Sequence, residues 1–297
     1  MDHAGKLSGR TRFTAIFGHP VEHSLSPAMH NAAYAALALD RAYLAFHVTP
    51  ETLRVAIHGI AALGLLGVNL TVPHKERALR MMAHLSDEAR LLGAINCVVN
   101  RSGTLDGDNT DARGLESDLR ASGLELEGKV AVIIGAGGAA AAAVLATLRL
   151  GAGRIVICNR TMARAHRLAR RFATYVGTPG GGRAHELIEA RGLEALNRSA
   201  TLATAALVVN ATSLGLQSGP FPPLDYAATP AHCLFYDLIY AREPPPFLKP
   251  AMALGRQARD GAGMLANQGA LAFELFNGIA PPPGLMRATL MAALGRT

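Results

Sequence analysis

Several short segments bring together side chains capable of chemistry. His23-Ser24-Leu25-Ser26-Pro27 stands just ahead of a helical run. Two hydroxyls and the N–H groups of a helix start would suit a carboxylate there. Helix capping accounts for Ser26 and leaves Ser24 without a task. Asn69-Leu70-Thr71-Val72-Pro73-His74-Lys75 places polar groups where a strand ends, the edge at which open α/β sheets bind ligands. Asn96, in Gly93-Ala94-Ile95-Asn96, adds an amide, and Gly107-Asp108-Asn109-Thr110-Asp111 adds a carboxylate. Each segment alone reads as a turn or a cap. Lys75 stands out because only four of the 29 basic residues are lysines. A lysine ammonium is a compact charge with movable donors, suited to meeting a developing negative oxygen.

A second constellation lies further on. Gly135-x-Gly137-x-x-Ala140 follows an apolar run and opens an alanine-rich one. A strand, a glycine turn and a helix in that order form a dinucleotide fingerprint. Gly135 permits the tight turn, Gly137 lets main-chain N–H groups approach a pyrophosphate, and the small residue at 140 lets helix and strand pack closely. The end of the next strand selects the dinucleotide. An NAD site places an acid there, whereas this chain reads Asn159-Arg160-Thr161, with Arg164 a turn later. A guanidinium pairs with a 2′-phosphate and stacks on adenine, so NADP(H) is favoured over NAD.

The elements that must carry these residues alternate between strand and helix. Thr11–Phe17, Ala42–Val48 and Val68–Val72 read as strands. Ser26–Leu39, with Ser26 as cap and Pro27 opening the helix, and Glu51–Leu63, closed by Gly64, read as helices. Two short helical pieces precede strands at Ile95–Asn100 and Thr104–Leu105 around the turn Arg101-Ser102-Gly103, and the helices between strands imply a parallel sheet. Asp111–Ser122 is a helix leaving this unit. Lys129–Ile134, Arg154–Cys158, Leu207–Asn210 and Cys233–Asp237 are strands of a second series, with a helix over Arg164–Phe172. Thr174–Arg183 is a glycine-rich loop, and Met264–Asn277 and Gly284–Leu294 are helical. The expected fold class is α/β, with a nucleotide-type domain at 112–250 inserted between residues 1–111 and a C-terminal helical piece, 251–297.

Composition narrows the function. The 297 residues are 50% hydrophobic and 17% charged, as expected of a globular chain of about two domains. Met1–Arg12 is polar and lacks a signal-like apolar core, and no run is long and apolar enough to span a membrane. Three scattered cysteines, Cys97, Cys158 and Cys233, suit a reduced, cytoplasmic setting; Cys97 and Cys158 read as small core residues. The eleven histidines show no ligand spacing, so no metal is expected. The net charge of +7 points first to a polyanion. It is concentrated: Gly128–His185 has no acid and nine bases, leaving 20 basic and 22 acidic residues elsewhere. A nucleic-acid-binding or sensor protein on a Rossmann scaffold is the different-class alternative. The lack of a helix-turn-helix and the 5% aromatic content argue against it.

Taken together the segments resemble the shikimate dehydrogenase family over nearly the whole chain. The matching runs are GHPVEHSLSPAMHN (18–31), GVNLTVPHKE (67–76), GAINCVV (93–99), GDNTD (107–111), GAGGAA (135–140), NRT (159–161), NATSLG (210–215), YDLIY (236–240) and DGAGMLANQGALAF (260–273). The resemblance implies NADPH-dependent reduction of 3-dehydroshikimate to shikimate, in aromatic amino-acid biosynthesis, with a cleft between two domains. It implies that 1–111 is the substrate-binding catalytic domain, 112–250 the Rossmann domain for NADP, and 251–297 C-terminal helices that return to the first domain. It implies Lys75 and Asp111 as the catalytic pair. Ser24, Ser26, Asn69, Thr71, Asn96, Tyr240 and Gln268 would be substrate contacts. Gly135, Ala136, Gly137, Gly138, Ala139, Asn159, Arg160, Thr161, Arg164, Thr212, Ser213, Leu238, Gly261 and Met264 would surround the cofactor. The partner expected is the small-molecule substrate, without nucleic acid or membrane, for a monomer or homodimer. The chain departs from the family at Ala141, where Arg is common, at Pro245 and Phe276, and at Asn267 and Gly269 beside Gln268. A quinate/shikimate dehydrogenase or a paralogue using NAD is the enzyme alternative, which Arg160 without an acid opposes.

Overall fold

A computed structural model describes residues 7–176, 187–214 and 221–296. The chain divides into two compact units, residues 1–114 with 265–297, and residues 115–264. Residues 251–264, grouped from the sequence with the C-terminal helices, belong to the second unit and supply a strand to its sheet.

The first unit is built on a six-stranded sheet of order β2-β1-β3-β5-β6-β4. These are β1 (Arg12–Gly18), β2 (Arg41–His47), β3 (Gly67–Leu70), β4 (His84–Leu85), β5 (Cys97–Arg101) and β6 (Thr104–Asp108). β1 pairs parallel with both β2 and β3. The expectation of a parallel sheet is corrected beyond that point, because β5 runs antiparallel to β3 and to β6. The turn at Ser102-Gly103, both at positive φ, joins β5 to β6 directly as a hairpin, with no crossover helix. Helices α1 (Ser26–Ala36), α2 (Leu53–Ala62) and α3 (Asp87–Leu92) separate the other strands. Leu53, Ile57 and Ile60 recur every three or four residues and turn one face of α2 into the core of Val68, Leu70 and Val98. Reversing β5 has a functional consequence: its start lies at the same sheet edge as the ends of β1, β3 and β6.

The second unit has the sheet order β12-β11-β10-β7-β8-β9. Its strands are β7 (Val130–Ile134), β8 (Arg154–Cys158), β9 (Ile188–Arg191), β10 (Ala205–Asn210), β11 (Leu234–Asp237) and β12 (Gln257–Arg259), all paired in parallel. Chain order runs outward from β7 on one side and from β10 on the other, the doubly wound Rossmann arrangement with its switch point between those two strands. β10 and β11 are buried along their full length, as continuous apolar runs require. Helix α4 (Asp111–Ala121) precedes β7, α5 (Gly138–Arg149) follows it, and α6 (Met162–Val176) follows β8. Ala140–Ala143 have no exposed surface, so the alanine tract serves close helix-to-sheet packing. α6 extends to Val176, so the start of the expected loop at 174–183 is helical; residues 177–183 lie outside the described residues. The chain closes with α7 (Ala262–Asn277) and α8 (Leu285–Ala293). Among the described residues, no helix is long and apolar enough to cross a membrane.

Candidate active site

In the first unit, the ends of β1, β3 and β6 and the approach to β5 deliver Ser24, Thr71, Lys75, Asn96 and Asp111 to one sheet edge. Lys75 Nζ donates to Asp111 Oδ2 at 2.6 Å. Asp111 opens α4 and its side chain is 8% exposed, while that of Lys75 is 29% exposed. Asn109 Oδ1 receives the Asp111 main-chain N–H at 2.9 Å and so fixes the start of the helix. Lys75 is steadied by its own carbonyl, which accepts from the Ile95 N–H at 2.9 Å.

Asn96 joins this pair to the C-terminal helix. Its Nδ2 lies 2.7 Å from Asp111 Oδ1, 3.0 Å from Thr110 Oγ1 and 3.2 Å from Gln268 Oε1, and its Oδ1 accepts from the Thr110 N–H at 2.8 Å. Both Asp111 oxygens are therefore occupied, one by a cation and one by an amide. Lys75 keeps two further N–H donors and partial access to water. Gln268 donates to Leu265 O at 2.9 Å, and its main-chain carbonyl accepts from Thr110 Oγ1 at 3.1 Å. Gly114 permits this approach: a Cβ there would stand 2.8 Å from both Gln268 Cβ and its main-chain N. Asn69 is buried, accepting from Tyr43 O–H at 2.8 Å and donating to Asn96 O at 3.1 Å, so it braces the edge from within.

The hydroxyl pair differs in detail from the sequence reading. Ser26 is not the cap of α1: Leu25 holds the N-cap position, with no side-chain cap hydrogen bond, and Ser26 is the first helical residue. Ser24 Oγ instead accepts the Ser26 N–H at 3.3 Å. Ser26 is 5% exposed, and Ser24 and Thr71 are partly exposed. Tyr240 belongs to the second unit, just after β11, where burial raises its phenol above the usual range. Asn109 and Thr110 belong to the network as well, although their segment suggests only Asp111 as a candidate. Their signal was polar type beside Asp111, and burial shows its importance.

In the second unit, the residues expected around a dinucleotide stand at the carboxyl ends of β7, β8, β10 and β11 and at the start of α7, spanning the switch point. Gly135 has φ +120°, and a Cβ on it would stand 2.9 Å from Ala211 O. Gly137 is exposed, and a Cβ built on it meets no atom within 4 Å. Gly138 and Ala139 begin α5, whose first N–H groups lack intrahelical acceptors. This open, N–H-lined turn fits a pyrophosphate. Ala141 has no exposed surface, so that position faces packing. Asn159 Nδ2 donates to Thr161 O at 2.9 Å, shaping the turn after β8. Arg160 and Arg164 are exposed and engage no side-chain partner among the described residues.

Three other bases of the acid-free segment meet acids from outside it. Arg154 makes a two-pronged ion pair with Glu189, at 2.8 and 3.0 Å; Arg149 meets Glu116 at 3.8 Å and Lys129 meets Glu125 at 3.5 Å. Arg183 lies outside the described residues.

At the end of β10, Asn210 Oδ1 accepts from Thr212 N–H at 3.1 Å and Thr212 Oγ1 at 2.7 Å, holding the turn that carries Thr212 and Ser213. Asn210 Nδ2 donates to Asp237 Oδ1 at 3.0 Å. Leu238 N–H bonds Asn210 O at 3.0 Å, and Gly261 N–H bonds Ile239 O at 3.1 Å. A Cβ on Gly261 would overlap the carbonyl of Leu238, and Met264 is buried nearby in α7. All three cysteines are free and buried; burial pushes Cys158 and Cys233 up to about 12, so they are inert core residues at neutral pH.

Comparison with known proteins places these two halves in one family. The Shikimate dehydrogenase substrate binding domain model matches residues 16–98, the Shikimate / quinate 5-dehydrogenase model residues 118–179, and the Shikimate 5'-dehydrogenase C-terminal domain model residues 261–291. Shikimate dehydrogenase (NADP(+)) of Geobacter sp. (strain M21) is 41% identical over 97% of this chain and 97% of its own. The chain belongs to the shikimate dehydrogenase family. A structure of shikimate 5-dehydrogenase from Thermus thermophilus in complex with NADP(H) and shikimate aligns with a TM-score of 0.81 at 36% identity, covering 95% of this chain and 100% of that one. The family's breadth is visible in quinate dehydrogenase from Corynebacterium glutamicum in complex with NAD, at TM-score 0.85 and 27% identity over 95% and 99% of the two chains.

Proposed function

We propose that this protein reduces 3-dehydroshikimate to shikimate with NADPH, and that Lys75 and Asp111 carry the acid–base part of the reaction. The observation that supports this most is the 2.6 Å Lys75–Asp111 pair, locked to Asn96 and Gln268 at the ligand-binding edge of the first unit. Bound NADPH supplies the hydride. Its arrival at a ketone carbon leaves negative charge on the oxygen, which an ammonium donor stabilises and a proton quenches. Lys75 has free N–H donors for that oxygen, while Asp111 orients the ammonium through Oδ2. Ser24, Ser26 and Thr71 supply hydroxyls for the substrate carboxylate. Asn96 and Gln268 orient the ring hydroxyls from the same network.

For the cofactor, the α5 N-terminus and Gly137 hold the pyrophosphate, and Arg160 and Arg164 take the 2′-phosphate. Thr212, Ser213, Leu238, Gly261 and Met264 border the remainder. The three buried, free cysteines suit a cytoplasmic enzyme. The deciding experiment measures steady-state reduction of 3-dehydroshikimate with NADPH and NADH, and oxidation of shikimate and quinate with NADP+ and NAD+. The expected result is the highest kcat/KM for dehydroshikimate with NADPH. Preference for NADH, or for quinate, would overturn the assignment.

A further inference from the structure

Two histidines outside this machinery meet at the carboxyl edge of the first sheet. Parallel pairing of β1 with β2 sets Gly18 beside His47, so His19, the next residue, and His47 stand at neighbouring strand ends. Both are exposed. His19 Nδ1 lies 2.5 Å from His47 Nε2. The ring planes are parallel to within 1°, and the centroids are 4.7 Å apart. The centroid spacing exceeds the nitrogen spacing by about one ring width, so the rings lie edge to edge in a common plane rather than face to face. The lone-pair directions of the two nitrogens, which lie in the ring planes, therefore face each other, and a modest rotation of the two exposed rings aims both at one point.

The surroundings favour a cation at that point. Main-chain hydrogen bonds hold Glu22 below the usual carboxylate range, with the charges of His47 and His23 acting in the same direction. Hydrogen bonds from Thr49 and from its own main chain do the same for Glu51, helped by Arg77 and His19. Glu22 follows His19 by three residues and Glu51 follows His47 by four, so each of the two segments carries an exposed carboxylate. Neutral imidazole suits Zn²⁺, Ni²⁺ and Cu²⁺, whereas Mg²⁺ selects oxygen ligands.

We propose that His19 and His47 form a two-imidazole site for one divalent transition-metal ion, with water completing its coordination. The ion takes the place of the contact between the two nitrogens, with each neutral ring carrying its proton on its other nitrogen. Metal–nitrogen distances of about 2.0–2.1 Å require the nitrogens to part by roughly 1 Å, which rotation of two exposed side chains provides. Among the described residues no group of three or more His, Cys, Asp or Glu side chains converges on a metal position. The protein therefore supplies two ligands and the affinity is moderate. His19 N–H also bonds Val72 O at 3.0 Å, so a bound ion ties the segment leading to Ser24 to the end of β2.

The test uses the full chain without an affinity tag, stripped with a chelator and titrated calorimetrically with Zn²⁺, Ni²⁺, Cu²⁺ and Mg²⁺. The expected result is one site per chain for the three transition metals, strongest for Cu²⁺ as the Irving–Williams order dictates, and none for Mg²⁺. His19→Gln and His47→Gln should each weaken binding at least tenfold. His58→Gln and His84→Gln, at exposed positions elsewhere, should leave it unchanged. Far-UV circular dichroism confirms that each variant is folded. Absence of transition-metal binding in the wild type, or wild-type affinity in both His19→Gln and His47→Gln, would overturn the proposal.

Discussion

Asp237 sits in surroundings that oppose its charge, and removing that charge gives a sharp test. It ends β11 with no exposed surface. Its Oδ1 accepts from Asn210 Nδ2 and from the Ile239 N–H, each at 3.0 Å, while Oδ2 has no partner among the described residues. Burial raises the carboxyl from its ordinary 3.8 to about 6, against the opposing pull of those hydrogen bonds. The folded chain thus holds this proton more tightly than the unfolded chain. The stability it contributes is fully present below pH 3.8 and is lost as pH rises through about 6. At about 1.36 kcal/mol per pH unit, that rise corresponds to about 3 kcal/mol forgone at neutral pH. In Asp237→Asn the amide oxygen still serves both donors and the charge is gone. An unpartnered amide NH₂ replaces Oδ2, at about 1–2 kcal/mol. The variant should therefore be more stable than wild type by about 1–2 kcal/mol at pH 7.5, or roughly 2–8 °C in Tm for a unit of this size. Below pH 4 that advantage should vanish, because the protonated carboxyl then places an unpartnered O–H where the variant has its NH₂. Thermal melts of both proteins at pH 4 and pH 7.5 make the comparison, since every other titrating group is common to the pair. A variant that melts below wild type at pH 7.5, or an offset identical at the two pH values, would refute the reasoning.

Removing Lys75 as Ala should lower kcat by about 10²–10⁴-fold with a much smaller change in KM; an unchanged kcat would take the ammonium out of the mechanism. Arg160→Ala should raise KM for NADPH about tenfold or more, the scale of a charge-assisted hydrogen bond, and leave KM for NADH nearly unchanged. Equal losses with the two cofactors would mean that the guanidinium does not read the 2′-phosphate. Gly114→Ala places a methyl group 2.8 Å from Gln268 Cβ, so it should cost about 1–3 kcal/mol by overpacking. It should also raise KM for the substrate by displacing Gln268; wild-type stability and KM would show that the two helices can part without consequence.

The limits of the sequence follow from what local patterns encode. β7, β8, β10 and β11 were legible because strands buried on both faces must be continuous apolar runs. β9 and β12 were missed: they are four and three residues long, with Glu189, Arg191 and Arg259 among them, so no apolar run announces them. Side-chain alternation is the same for parallel and antiparallel neighbours, so it does not give the direction of β5; the turn at Arg101-Ser102-Gly103 gives its pairing with β6, and nothing local gives its reversal against β3. Lys75 and Asp111 are 36 residues apart, and no spacing rule joins them. Resemblance paired them, and the geometry adds the reason they stay together, namely Asn96 and Asn109 acting on the carboxylate and its helix.

The charge of the chain shows most clearly how the fold changes a sequence argument. Along the chain, nine bases with no acid between Gly128 and His185 suggest a large polyanion. In space the acids return from outside that window: Glu116 to Arg149, Glu125 to Lys129 and Glu189 to Arg154. Those three bases are compensated within the second unit and add little long-range field. Arg160 and Arg164 stand apart because, among the described residues, the turn after β8 brings no carboxylate to them, just where a carboxylate would have favoured the unphosphorylated ribose of NAD. What distinguishes them is therefore the lack of an acid at one strand end, and two exposed guanidiniums grouped there match one phosphate far better than a nucleic-acid backbone.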